Sequence, residues 1–194
     1  MANSSWISMS RMLTKASSMA YFTALPVPPE VIQTLQTIRP ALTYATWVHP
    51  DDYHLTLAYL GDPAPEALTE FWHNISMRVH PSQTIWLNRL HLFRTHNGCV
   101  LVLLAEVIPE LEALHADHVQ TARSTGIDVH TFPQYMPHVT LASFPEQVVN
   151  LEDVMLPAMP TYDVRSVTLY KSHKPHGTGV GRYDVVQTYP LQKA

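Results

Sequence analysis

Two short stretches of the chain repeat one pattern. Residues 54–60 read HLTLAYL and residues 138–144 read HVTLASF, so His-apolar-Thr-Leu-Ala occurs twice, 84 positions apart. A third His-x-Thr, His176-Gly177-Thr178, sits in a glycine loop without apolar alternation and is set aside. On a strand, successive side chains point to opposite faces, so His54 and Thr56 share one face and Leu55 and Leu57 the other. The same holds for His138 and Thr140 against Val139 and Leu141. Each strand anchors itself by its apolar residues and offers an imidazole beside a hydroxyl. Two such strands side by side make a complete kit for breaking a phosphodiester without metal. One neutral imidazole takes a proton from the attacking oxygen, and the other, protonated, gives one to the leaving oxygen. The hydroxyls donate to the non-bridging phosphate oxygens as charge builds there. Paired imidazoles of ordinary pKa predict a bell-shaped pH profile with its maximum near neutrality.

The surrounding pattern supplies elements to hold these strands. Tyr21–Leu25 reads as a strand closed by prolines, and Pro29–Ile38 as a helix with Val31, Ile32, Leu35 and Ile38 at helical spacing. Thr46–Val48 and His54–Leu60 read as strands. Ala64–Val79 is a predicted helix, and Thr84–Phe93 and Cys99–Val107 are predicted strands. Glu110–Ser124 is helical, with Leu111, Leu114, His118 and Val119 spaced for burial. Val139–Phe144 is a strand, and Val164–Tyr170 and Tyr183–Thr188 form a terminal hairpin. The loop of that hairpin carries Gly177, Gly179 and Gly181. It opens no helix, so it is read as a flexible turn and not as a phosphate-binding loop.

Composition narrows the class. With 194 residues, 46% hydrophobic and 14% charged, the chain is one globular domain without a membrane span. The single cysteine, Cys99, forms no internal disulfide, and a cytoplasmic protein is expected. Net charge is −4, which excludes a protein that coats long duplex nucleic acid. The last 34 residues nevertheless carry a balance of +3, which suits a small anionic ligand. Residues 1–19, with six serines, four methionines and no acidic residue, are read as a disordered extension or an early start; a transit peptide is the alternative. His115 and His118 stand one helical turn apart, but no cysteine cluster or His-Glu-x-x-His supports a metal, so neither metal nor cofactor is expected.

In these motifs and their flanks the chain resembles the two-histidine (2H) phosphoesterases, and within them the 2′,5′-RNA ligase or RNA 2′,3′-cyclic phosphodiesterase branch. The resemblance runs from about Tyr21 to Leu191, through YFTALPVPPEV, TWVHPDDYHLTLAYLGD, FPQYMPHVTLAS and VRSVTLYKSHKPHGTGVGRYDVVQTYPL. It implies an α+β fold of two lobes over residues 20–194, with two antiparallel sheets facing across a central cleft and helices outside. It also implies that His54 and His138 are the acid/base pair and Thr56 and Thr140 the phosphate clamps. Many relatives carry an arginine where this chain has Ser143, so a phosphate contact is missing there; Lys171, Lys174 or Arg182 is the expected substitute. Phe22, at a position bordering the cleft in relatives, is the expected base-stacking residue, with Tyr59 beside it. The implied activity is metal-independent hydrolysis of 2′,3′-cyclic or 2′-linked phosphodiesters in RNA ends or small nucleotides by a monomer. Cleavage of cyclic or 2′,5′-linked oligonucleotide signals is the nearest alternative. A non-catalytic nucleotide- or RNA-binding module is a third, against which the four intact His and Thr residues speak.

Overall fold

The computed structural model describes residues 19–38, 45–95, 98–144, 151, 154, 156–173 and 181–192. Most of the 1–19 extension, Lys174 and most of the glycine loop lie outside that set. In chain order the elements are β1 (Tyr21–Pro26), α1 (Pro29–Gln36), β2 (Thr46–Trp47), a 3₁₀ turn (Pro50–Asp52), β3 (His54–Gly61) and α2 (Pro65–Ser76). They continue with β4 (Gln83–Thr95), β5 (Gly98–Ala105), α3 (Pro109–Ser124), β6 (His138–Phe144), β7 (Thr161–Val164), β8 (Ser166–Ser172) and β9 (Tyr183–Pro190). Each of the three α-helices opens on a proline in its first turn, where the missing N–H would have no intrahelical partner.

The strands form an α+β architecture with the ladder order β7-β4-β5-β6-β3-β1-β8-β9, all pairs antiparallel, and β2 added to β6. In the ladder the two halves, β7-β4-β5-β6 and β3-β1-β8-β9, are joined by a single residue pair, Leu55 with Val139, and backbone hydrogen bonds of Gln192 with His80 and Ser82 link them again. The two expected sheets are therefore edge-linked. The main core lies on the helical side, where Leu55, Leu57, Val139 and Leu141 pack with Val31, Leu35, Phe71, Ile75, Leu111 and Leu114. Two small satellite clusters occupy the opposite face, one per half: Phe22, Ala24 and Tyr170, and Phe93, Val102 and Leu104.

The expected strand Val164–Tyr170 divides in two. Residues up to Val164 pair with the start of β4, and residues from Ser166 pair with β1 and β9. The chain crosses between the halves at Arg165, whose carbonyl accepts from the Leu191 N–H. Beneath β1 a polar chain runs through the core: Thr23 Oγ1 to His118 Nδ1 (2.9 Å), His118 Nε2 to Tyr189 Oη (2.8 Å), and on to His80 and Asp117, which also pairs with Arg78. Burial pushes the fully enclosed His118 imidazole down to about 3, so it is neutral and structural.

Candidate active site

His54 and Thr56 on β3 and His138 and Thr140 on β6 are partly exposed, while Leu55, Leu57, Val139 and Leu141 between and beyond them are buried. The alternation read from the sequence places all four polar residues on the cleft face. Leu55 and Val139 pair antiparallel, so continuing that register by one residue sets His54 opposite Thr140 and Thr56 opposite His138. Each imidazole thus stands across from the other motif's hydroxyl.

The repeat extends to a shared irregularity. On β3, Thr56 and Ala58 pair with the consecutive residues Ala24 and Thr23, leaving Leu57 as an extra residue. On β6, Thr140 and Ala142 pair with Val102 and Leu101, leaving Leu141 extra. A bulge of this kind shifts the phase of alternation. It returns the residue five positions after each histidine to the cleft side, which is Tyr59 in one half and Ser143 in the other.

Both imidazoles are oriented in the same way. His54 Nδ1 donates to the carbonyl of Asp52 at 2.6 Å, and His138 Nδ1 donates to the carbonyl of Met136 at 2.8 Å. A carbonyl only accepts, so each neutral ring carries its proton on Nδ1 and presents a bare Nε2 to the cleft. Among the described residues neither Nε2 has a protein partner, nor has the hydroxyl of Thr56 or Thr140. Desolvation holds the His54 pKa down at about 4, aided by His138 and Arg182; it lowers His138 too, with help from His91.

The rings are backed by aromatic side chains. Phe22 is only 4% exposed; its ring lies 4.7 Å from His54, stacks on Tyr170 at 5.2 Å and meets Tyr183 edge-on at 5.0 Å. Phe93 meets His138 edge-on at 5.2 Å. Tyr59 packs at the rim of the Phe22 cluster, and Ser143 is exposed. The Lys171 ammonium sits 5.6 Å over the ring of Tyr21, which packs toward the main core. Lys174 is outside the described residues. Arg182 does lie close, and its position is fixed by its backbone. The Arg182 N–H donates to both carboxylate oxygens of Asp52 at 2.9 Å, and Asp52 is 3% exposed. A Cβ on Gly181 would lie 2.8 Å from Asp52 Oδ1, so the close approach needs glycine there.

Several positioning groups carry no sequence signal as such. Asp52 and Met136 act through main-chain carbonyls. Tyr135 Oη donates to the Thr56 carbonyl at 3.1 Å, and His115 Nδ1 donates to that of Leu57 at 2.6 Å, with the two rings stacked at 3.8 Å. This pair grips β3 where its ladder to β6 stops. His115 and His118, the pair considered for metal, are thereby both engaged in hydrogen bonds.

A family model described as the 2′-5′ RNA ligase superfamily matches residues 27–176. An RNA 2′,3′-cyclic phosphodiesterase of Geobacillus stearothermophilus is 24% identical over 182 residues, 88% of this chain and 57% of that protein. The chain thus spans little more than half the length of that relative. An RNA 2′,3′-cyclic phosphodiesterase of Bacillus subtilis (strain 168) is 30% identical over 129 residues, 63% of this chain and 69% of that protein. Among solved structures, E. coli LigT complexed with NADP+ superposes with a TM-score of 0.74 at 22% identity, covering 92% of this chain and all of the other. E. coli LigT complexed with 3′-AMP gives 0.70 at 22% identity over 90% and 98%. These structures speak for the fold alone. Both histidine motifs fall inside the segment that the family model matches, and the chain belongs to the 2′-5′ RNA ligase superfamily.

Proposed function

We propose that the chain is a metal-independent phosphodiesterase acting on a 2′,3′-cyclic phosphate or a 2′-linked phosphodiester at an RNA end or in a small nucleotide. The observation that carries this reading is the matched anchoring of the two imidazoles, each held by Nδ1 and open at Nε2, across a single strand junction. One Nε2 accepts a proton from water as the water oxygen bonds to phosphorus. The other Nε2, protonated, gives its proton to the leaving ribose oxygen as the P–O bond breaks. Thr56 and Thr140 donate to the non-bridging oxygens. The names of the two bacterial relatives and the nucleotide complexes of E. coli LigT support a small nucleotide or RNA end as the partner. The test is incubation with a 2′,3′-cyclic mononucleotide, a 2′,5′-linked dinucleotide and a cyclic dinucleotide, all in EDTA. Cleavage of the first to a single monophosphate is expected; cleavage of the cyclic dinucleotide alone would transfer the reading to oligonucleotide signals, and cleavage of none would end it.

Desolvation of the two rings changes the pH expectation. Desolvation penalises the imidazolium, holding the His54 pKa at about 4 and lowering that of His138, so the neutral rings are favoured in the free protein. The productive form carries one proton on the pair, and its population peaks between the two apparent pKa values. The profile of kcat/KM is therefore expected to be a bell with its maximum on the acid side of pH 6.5, falling about tenfold per unit on the alkaline limb. A bound phosphodiester anion favours the imidazolium, so the kcat profile lies further alkaline. A kcat/KM maximum at or above pH 7.5 would contradict the desolvated pair.

A further inference from the structure

β4 carries a second column of polar residues on the cleft face. In the register of the half-sheet, Arg89 pairs with Leu104 and Leu104 with His138; His91 pairs with Val102 and Val102 with Thr140. Phe93 pairs with Val100 and Val100 with Ser143. Residues paired side by side share a face, so Arg89, His91 and Phe93 run parallel to His138, Thr140 and Ser143. Between them lies an apolar floor of Leu104, Val102 and Val100. None of these nine positions is a carboxylate. Among the described residues Arg89 makes no ion pair and no hydrogen bond; burial, and then the Arg89 charge, lower the His91 pKa, so His91 meets an anion as a neutral hydrogen-bond donor. A cavity of about 150 Å³ opens beside Arg89, against Leu104, Gln134, Tyr135 and Pro137 and short of His91 and His138. That is well below the roughly 300–1,000 Å³ of a pocket for a whole small ligand, and it suits a phosphate with the edge of its sugar.

We propose that Arg89, with His91, forms a second anion subsite that takes the 5′-phosphate of the nucleotide whose 2′,3′ or 2′-linked phosphate lies between the two motif histidines. The inference rests on the cleft being a phosphodiesterase site. Two strand spacings separate the backbones of Arg89 and His138, roughly 10 Å, which a guanidinium spans toward a phosphate on the far side of one ribose. The fork geometry of arginine suits two phosphate oxygens at once. The subsite also stands on the half of the molecule where Ser143 leaves a cation missing from the motif.

The experiment compares a nucleoside 2′,3′-cyclic phosphate with the same compound bearing a 5′-phosphate, for the wild-type protein, Arg89→Gln, Arg89→Lys and His91→Gln. The wild type is expected to show a KM about tenfold lower for the 5′-phosphorylated compound, which one charge-assisted contact supplies. In Arg89→Gln that advantage disappears with kcat changed less than twofold, Arg89→Lys keeps part of it, and His91→Gln reduces it. The KM of the 5′-phosphorylated compound should rise with salt in the wild type and depend less on salt in Arg89→Gln, because salt screens the lost charge–phosphate contact. Equal KM values for the two compounds in the wild type, or an unchanged ratio in Arg89→Gln, would overturn the subsite. If the wild type cleaves neither compound, the phosphodiesterase reading fails. Binding of a nucleoside 2′,5′-bisphosphate, measured by calorimetry on wild type and Arg89→Gln, then decides the subsite: equal affinity overturns it.

Discussion

Replacing His54 or His138 by alanine is expected to lower kcat on a 2′,3′-cyclic phosphate by about 10²–10⁴ while leaving the fold intact. Each imidazole supplies one of the two proton transfers, and neither belongs to the main core. His54 touches the small Phe22–Tyr170 cluster and His138 touches Phe93, so truncation trims the satellite packing only. The melting temperature should therefore shift by no more than a few degrees, which a thermal melt checks. The two variants also separate by substrate. A diester with an acidic leaving group, such as a nitrophenyl ester, needs no proton at the departing oxygen. The variant that lost the acid recovers on it, and the variant that lost the base does not. Wild-type kcat in either variant on an alkoxide-leaving substrate would end the two-imidazole mechanism.

Thr56→Val and Thr140→Val are expected to cost about 10²–10³ each in kcat, the usual loss on removing one preorganised donor. Valine keeps the β-branched shape that suits a strand and removes only the hydroxyl. The hydroxyls have no protein partner among the described residues, so their removal strands no buried group. The shape of the pH profile should stay as in the wild type, because the titrating imidazoles remain. Serine at either position should restore most of the rate. If both valine variants kept wild-type kcat, the threonines would be strand residues and nothing more.

The repeat singles out the four motif residues and the strand period gives their common face, because Leu55, Leu57, Val139 and Leu141 declare the buried one. Helix positions are legible for the same reason, as with Leu111, Leu114, His118 and Val119 on α3, all buried. What a linear pattern does not contain is which strand lies beside which. Arg89, His91 and Phe93 alternate visibly in the sequence, yet only the order β4-β5-β6 brings them to the motif face. The break at Arg165 is hidden because both of its flanks read as strand. The bulges at Leu57 and Leu141 are hidden too, although the repeated Thr-Leu-Ala holds them.

The single ladder pair Leu55–Val139 has a positional consequence. In the ladder that pair is where the two half-sheets join, while one shared core and the backbone hydrogen bonds between residues 80–82 and Gln192 hold the halves together elsewhere. His54, Thr56, His138 and Thr140 each sit one residue from the pair, about 3.3 Å along the strand. Tyr59 and Ser143 sit four residues away, about 13 Å. The imidazoles and hydroxyls therefore stand at the junction itself, where the backbone of one half is referenced directly to the other, and Tyr59 and Ser143 stand away from it.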